Sequence, residues 1–517
     1  MRGVPTSRVS RVIRPPSRPG SATLGPSGAT PAPECTSAVI SLAALLAAAV
    51  TLYQLTRPGS LFGTSADVAV YLGGSVRLVH GVLPYRDFVF VQPPGFVLLA
   101  TPFAFLSELT GTRDALAVLR LCTPLLAAAS VVLVGRLVRH RGFAATLIAC
   151  GVMALFPAQL YALHSVLLEP VLELFCLVGA VVIFEGDGMS GPRRILAAGL
   201  VFGFAGTIKV SAVLPVLMVA ALCLPEVRRR LLPFAGGVLA GFAIPALPFL
   251  IASPGAFMRD VVRTQIARIP SGARVPLPAR LGDLTGASAF ASGDAVAIAV
   301  VAVLAGLVVC ALVASRRWPT RLEWFALGST VLVSVAQLLP AQYYPHYAAL
   351  VTPFLGVLLG LCVAAIPSAG VTRLTAPALA GAVVVALLVN QVSHLNTETS
   401  PDVVVAVDSV IPEGGCVTSD APRNLVTTDR FVSSRPGCTN MTDPNGTALA
   451  LGNTAEAAAV WRSAFAHVDY VIVEAPVTTW PIDPVATAYV ADNFRLVRSS
   501  GLLIYVRRGV AAGRPAG

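Results

Sequence analysis

Long hydrophobic runs separated by short polar loops fill most of the chain between residues 37 and 393. Runs of about 20 apolar residues are long enough to cross a bilayer as helices, and these runs lack the alternation typical of a membrane barrel. The pattern predicts an α-helical polytopic membrane protein with about 11 transmembrane helices. The predicted spans are 37–56, 115–135, 143–161, 166–185, 194–208, 210–225, 231–252, 293–314, 322–340, 347–366 and 375–393.

One shorter apolar segment, 95–109, follows the pair Pro93-Pro94, and we interpret it as lying on the membrane surface. The arginine-rich loops then share the side of the N-terminus, which the positive-inside rule assigns to the cytoplasm. Residues 1–36, rich in Pro, Ser, Gly and Arg, are predicted to be a disordered cytoplasmic tail. The predicted transmembrane domain is 37–393, with a first outer loop at 57–114 and a long outer loop at 253–292.

From residue 394 onward the chain becomes polar, and we interpret 394–517 as a small α/β domain. An odd number of spans places this domain outside the cytoplasm. The residue patterns predict strands at 469–476 and 494–508 and a helix at 454–468. Cys416 and Cys438 lie in this region, and an oxidising compartment would favour a disulfide between them.

The composition excludes several classes of function. The 517 residues are 12% charged and the mean hydropathy is +0.77, whereas a soluble chain would carry roughly twice that charge. The net charge of +11 lies largely in the tail and short loops, which indicates membrane anchoring and not a nucleic-acid partner. The sequence has no P-loop, dinucleotide fingerprint or HExxH motif, so an ATP-driven pump is disfavoured.

The first outer loop holds the strongest candidate for chemistry. Asp67 opens a predicted amphipathic helix that also carries Tyr71, and Tyr85 and Asp87 follow in the same loop. A carboxylate in the first turn is favoured by the helix dipole, so a purely structural role is one interpretation. The alternative is a general base that deprotonates an acceptor hydroxyl during sugar transfer.

Two further charged residues lie where predicted spans meet the outer surface. Glu169 is at the outer end of a span, with Glu173 one helical turn away as a competing candidate. A carboxylate at the membrane edge is costly unless it is hydrated or paired. Lys209, the one lysine of the chain, suits a lipid phosphate, although a lysine at a helix end also commonly snorkels to the surface.

Two more clusters are predicted on the outer side. Arg259 and Arg263 share a helical face in the long outer loop, and positive charge there indicates an anionic partner, either a substrate or lipid headgroups. His346 and Tyr347 lie among further tyrosines before a span. An aromatic belt at the membrane interface is the alternative for that second cluster.

The motifs D-x-x-x-Y, G-x-L-P-Y-R-D-F and P-P in the first outer loop resemble those of the GT-C superfamily of membrane glycosyltransferases. Protein mannosyltransferases and bacterial aminoarabinose transferases are the most similar members. The resemblance covers about residues 37 to 366 and implies that Asp67 is catalytic. It also implies that His346-Tyr347 faces a donor phosphate. Protein mannosyltransferases have Asp-Glu where this chain has Asp67-Val68, which argues against a protein hydroxyl as acceptor.

We therefore expect an inverting glycosyltransferase of the cell membrane that uses a polyprenyl-phosphate sugar and no cofactor. A metal is not expected, and the alternative is a divalent metal held by Asp67, Asp87 and Glu169. The acceptor would be a glycan, lipid or protein of the cell envelope, and membrane lipids would surround the chain. A nucleotide sugar is disfavoured because the candidate residues lie on the outer side. The alternatives are a transporter or flippase, which would carry charges within its spans, and a non-catalytic scaffold.

Overall fold

The computed structural model shows a helical bundle that carries a small sheet domain near its C-terminus. It describes residues 33–57, 60–62, 65–269, 273–291, 293–366, 372–394, 403–438, 440–452, 454–474, 484–499 and 502–511.

Nine helices form the first part of the bundle. They are α1 Pro33–Leu55, α2 Ala66–Val79, α3 Gly95–Leu99, α4 Thr101–Thr110, α5 Thr112–Leu121, α6 Thr123–Val138, α7 Phe143–Leu155, α8 Pro157–His164 and α9 Leu168–Ile183. A two-stranded ribbon follows, with β1 Phe184–Glu185 antiparallel to β2 Gly188–Met189.

Ten further helices complete the bundle. They are α10 Pro192–Ile208, α11 Val213–Cys223, α12 Leu232–Ala252, α13 Pro254–Phe257, α14 Thr264–Ala267, α15 Leu277–Thr285, α16 Asp294–Ser315, α17 Arg321–Leu338, α18 Thr352–Ala365 and α19 Thr372–His394. Turns of 3-10 or π-helix join several of them, at Arg139–Arg141, Val210–Ala212, Leu224–Glu226, Val227–Leu231, Met258–Arg263, Ala287–Ala289 and Pro345–Val351.

The C-terminal region is an α/β unit. Its strands are β3 Val417–Ser419, β4 Tyr470–Val473, β5 Phe494–Ser499 and β6 Leu502–Arg507, in the order β3-β4-β6-β5. β3 is parallel to β4, and the other neighbours are antiparallel. Its helices are α20 Val403–Asp408, α21 Pro422–Val426, α22 Pro444–Leu451, α23 Ala455–His467 and α24 Pro484–Asn493.

The local predictions in this region are largely confirmed. The predicted helix is present as α23, and the predicted strands correspond to β4, β5 and β6. The turn at 500–501 lies outside the described residues. Cys416 and Cys438 form a disulfide, as expected. The short parallel strand β3 was not predicted, because three residues give too little pattern to detect.

The N-terminal boundary needs a correction. Helix α1 begins at Pro33, so the last four residues of the predicted tail at 1–36 are helical, and the remainder lies outside the described part. Pro33 is tolerated there because a first-turn residue needs no intrahelical N–H partner.

Five helices of the described residues are individually long and apolar enough to cross a membrane, or six if the bent pair of α7 and α8 counts as one. Several other predicted spans correspond to shorter helices, such as α9 with 16 residues and α10 with 17. The chain is therefore a multi-pass membrane protein, and the count of about 11 spans stays a prediction.

Arginine-rich loops gather at one end of the bundle. Arg141, after α6, donates to Asp187 in the β1–β2 turn at 2.6 Å and to Glu323 in α17 at 2.9 Å. Arg321, at the start of α17, pairs with Glu226 at 3.2 Å. We call this group the arginine end. Since α9 and α10 both run between this end and residues 169 and 209, about 25 Å of helix separates the two.

The α/β unit packs on the first outer loop. A Cβ added to Gly73 of α2 would lie 2.5 Å from the Phe431 ring, which shows how closely the two surfaces fit. Arg77 donates to the Asn440 side chain at 2.5 Å, and the Thr112 hydroxyl donates to the Val426 carbonyl at 2.8 Å. These contacts bring the α/β unit against the loop that carries Asp67.

Candidate active site

Asp67 lies in the first turn of α2, as predicted. The apolar positions Val68 and Leu72 are fully buried, and this anchors the helix while Asp67 itself stays exposed. The carboxylate is therefore held on a rigid element and reaches solvent, which suits a group that must meet a substrate.

Glu169 and Lys209 form an ion pair, with Lys209 Nζ 2.5 Å from Glu169 Oε1. Glu169 is only 2% exposed, whereas 18% of the Lys209 side chain is accessible. Lys209 is in extended backbone between α10 and the following 3-10 turn, and this break in the helix directs it to the site. Glu173, one turn deeper in α9, is completely buried.

Gly95 allows the first outer loop to approach Lys209 closely. A Cβ at this position would lie 2.7 Å from the carbonyl oxygen of Thr207, near the end of α10. Only glycine fits this distance without displacement of the backbone. The start of α3, directly after Pro93-Pro94, therefore packs beside the break at the end of α10, where Lys209 lies.

His346 and Tyr347 lie in a 3-10 turn before α18. Lys209 Nζ is 4.3 Å from the centre of the Tyr347 ring, a distance typical of a cation–π contact. The His346 ring packs edge-on against Tyr347 at 4.8 Å and stacks on Tyr344 at 5.6 Å. The two predicted clusters, at 209 and at 346–347, therefore form one surface.

Charges from four segments act on Asp67. Burial raises the pKa of its carboxyl and Glu169 raises it further, whereas His346, Lys209 and Arg268 lower it. The side chain reaches solvent, yet the surrounding protein replaces enough water to disfavour its charge. Burial also raises the pKa of Tyr71, with Asp67 and Glu169 adding to the effect. These residues therefore lie close enough together to interact.

Two members of this group were not among the predicted site residues. Arg268, after α14, acts on Asp67 from the long outer loop. Asp443, at the start of α22, is 7% exposed, and its pKa is raised to about 6 by burial, with Asp67 adding to the effect. The sequence does not distinguish Arg268 from the other arginines of its loop. No motif links Asp443 to the helical bundle, so neither residue could be singled out.

Other predicted residues are engaged in contacts within the protein. The Tyr85 hydroxyl donates to the Gln92 carbonyl at 2.6 Å and its ring packs on Phe257, so its contacts are structural. Asp87 accepts from the Leu83 N–H at 2.7 Å and pairs with Arg86.

The two predicted loop arginines also differ from expectation. Arg259 pairs with Asp260 at 2.7 Å and with Glu456 at 3.1 Å. Arg263 is exposed. The arginine of this loop that lowers the pKa of Asp67 is Arg268. Within the described residues no three His, Cys, Asp or Glu side chains converge as a metal site would require.

Comparison with known proteins agrees with this architecture. The sequence model that describes glycosyltransferase family 87 matches residues 90–340 of the chain. Two solved structures share the fold: ArnT from Cupriavidus metallidurans bound to undecaprenyl phosphate, and the same protein in the apo state. The first has a TM-score of 0.58 at 13% identity, covering 92% of this chain and 98% of that one. The second has a TM-score of 0.55 at 13% identity, covering 91% and 98%.

No curated protein sequence matches the chain significantly. The family model, over residues 90–340, and the shared fold support a membrane glycosyltransferase of the GT-C superfamily. The resemblance inferred from the first outer loop is thereby confirmed.

Proposed function

We propose that this protein transfers a sugar from a polyprenyl-phosphate donor to a cell-envelope acceptor at the outer face of the membrane. The observation that carries the proposal is the meeting of Asp67, Glu169, Lys209 and His346 at the end of the bundle opposite the arginine end. If arginine-rich loops face the cytoplasm, this group faces outward. The fold shared with a protein bound to undecaprenyl phosphate supports a donor of that class.

The geometry divides the reaction between the residues. Lys209, His346 and Arg268 supply positive charge for the donor phosphate, and the Glu169 ion pair holds Lys209 in position. Asp67 accepts the proton of the acceptor hydroxyl. The acceptor oxygen bonds to the anomeric carbon, while the bond from that carbon to the phosphate oxygen breaks. Its electron pair leaves with the polyprenyl phosphate, and the anomeric configuration is inverted.

The transporter alternative predicts charges in the middle of the spans, whereas this charged group lies at helix ends and breaks. Glu173 and Arg120 are fully buried charges within predicted spans, and they are the residues on which the transporter alternative would depend.

The purified full chain should release polyprenyl phosphate from one member of a panel of polyprenyl-phosphate hexoses and pentoses when an envelope extract is present. Nucleotide sugars are the matched control donors and should give no product. Transfer from nucleotide sugars alone would reject the proposal. Mass analysis of envelope glycans from a deletion strain should then show the loss of the same sugar.

A further inference from the structure

A cavity of about 630 Å³ lies between the first outer loop, the α13 region and the α/β unit. Its walls include Phe88, Arg259, Thr442 and Asp443. The volume is in the range of about 300–1,000 Å³ that is usual for small-molecule sites. The mechanism described above assigns this space no role.

The charges on its walls already have partners. Arg86 is bonded to Asp87 at 2.8 Å, and Arg259 pairs with Asp260 and Glu456. Asp443 accepts from the Gly446 N–H at 2.7 Å. A phosphate or carboxylate would have to break one of these pairs to be bound, so the cavity is poorly suited to an anion.

The same walls offer many hydrogen-bonding groups. Hydroxyls come from Ser253, Thr442, Thr447 and Ser463. The Thr442 hydroxyl is buried and has no hydrogen-bond partner within the described part of the chain, so a ligand hydroxyl would satisfy it. Paired charges and hydroxyls beside the apolar face of Phe88 form a surface that suits sugar rings.

Asp443 connects this cavity to Asp67. It lines the cavity and directly precedes α22, which packs against α14. Arg268, directly after α14, and Asp443 both interact with Asp67. A hydroxyl of a molecule in the cavity would therefore approach the base from the side of the α/β unit. The cationic group of Lys209, His346 and Arg268 acts on Asp67 as well, and it is the part of the site suited to phosphate.

We propose that the 630 Å³ cavity binds the uncharged, polyhydroxylated end of a glycan acceptor and presents one of its hydroxyls to Asp67. This inference rests on the proposed function, since it names the acceptor class for the same reaction. The sugar ring is bound by the paired charges and the hydroxyls, and specificity against anionic sugars follows from the absence of a free cation among the described wall residues.

The test fills the cavity without touching the donor side. Ala459 is an exposed wall residue on α23, so Ala459→Trp places an indole in the space. Val485 on α24 is 59% exposed and is not a wall residue, so Val485→Trp is the matched control. The acceptor probes are an octyl glycoside of a neutral disaccharide and the same glycoside ending in glucuronate. The donor is the polyprenyl-phosphate sugar that the panel identifies.

The wild type should transfer to the neutral probe at least about tenfold faster than to the anionic one, a difference of about 1.4 kcal/mol. Ala459→Trp should lose at least tenfold in kcat/KM for the neutral probe and still bind undecaprenyl phosphate like the wild type. Val485→Trp should match the wild type in both assays.

Three results would each overturn the inference. They are transfer by Ala459→Trp at the wild-type rate, a preference for the glucuronate probe, and no transfer to either probe by a chain that binds undecaprenyl phosphate. If the wild type does not bind undecaprenyl phosphate, that result would instead contradict the proposed function. The two failures are therefore distinguishable.

Discussion

The two ends of the bundle use charge in different ways. At the arginine end, Arg141, Asp187 and Glu323 form a network in which the Asp187 side chain is 38% exposed. At the Asp67 end, Glu169 is 2% exposed and is paired with the one lysine. Exposed pairs contribute little to stability, whereas a buried charge is costly without its partner. Charges at the arginine end can therefore be lost at little cost in stability, whereas the Asp67 end keeps an ion pair in a place where the loss of either partner is costly.

The largest effect that would test this comparison is the loss of the base. Asp67→Asn should lower the transfer rate by about 100- to 10,000-fold, because general-base catalysis contributes about that much. The measurement is single-turnover transfer from the polyprenyl-phosphate donor. The thermal midpoint in detergent should not fall, since the neutral amide relieves a carboxylate whose pKa is raised by burial.

The matched control is Asp187→Asn at the arginine end. It should leave the transfer rate unchanged and lower the free energy of unfolding by less than about 1 kcal/mol. Equal losses of transfer in the two variants would remove the distinction between the ends.

The second effect concerns the buried ion pair. Lys209→Met leaves Glu169 without its partner, which should cost about 3 kcal/mol of unfolding free energy and also reduce donor binding. The double variant Lys209→Met with Glu169→Gln should regain most of the stability and still bind undecaprenyl phosphate weakly. Denaturation and donor titration of the three proteins measure this. Recovery of donor binding in the double variant would show that Lys209 is only structural.

The third effect is steric. Gly95→Ala places a methyl group 2.7 Å from the Thr207 carbonyl, and an overpacked site of this kind costs about 1–3 kcal/mol. The start of α3 should move away from the helix break, so transfer should fall together with the thermal midpoint. Gly236→Ala is the control, since a Cβ there meets nothing within 4 Å. An unchanged midpoint in Gly95→Ala would contradict the close approach.

The smallest effect is a pH dependence. The pKa of Asp443 is raised to about 6 in the folded chain, so the folded state holds this proton more tightly than the unfolded state. Stability from this group is therefore full below its ordinary pKa of about 3.9 and is lost as pH rises through about 6. In Asp443→Asn the thermal midpoint should change less with pH across this window than it does in the wild type. A profile that still falls as in the wild type would assign the effect to another group.

Much of this site could be predicted because positions 67, 169, 209 and 346 all lie where predicted spans meet the same membrane side. The pairing of Glu169 with Lys209 could not be predicted, since the two are 40 positions apart and no spacing rule connects separate helices. The role of Arg268 depends on irregular helical turns in the long loop. Asp443 belongs to another unit, and only the tertiary packing brings it near Asp67.

For the fold, the length of the apolar runs predicted a membrane protein, because a helix must be long enough to cross the bilayer. The predicted spans 194–208 and 210–225 placed a break at Lys209, and the structure has this residue in extended backbone between α10 and a 3-10 turn. The other turns of 3-10 or π-helix, such as Met258–Arg263, were not predicted, because they depend on neighbouring helices that a single sequence does not reveal.

Lys209 also provides a spectroscopic handle. Because the chain contains no other lysine, reductive methylation with ¹³C-formaldehyde would give one side-chain NMR signal beside that of the N-terminal amine. The Tyr347 ring lies 4.3 Å from this nitrogen, so its ring current would shift the resonance. Any molecule that displaces the tyrosine or attracts the ammonium group would be seen directly, in the unmutated protein and without knowledge of its identity.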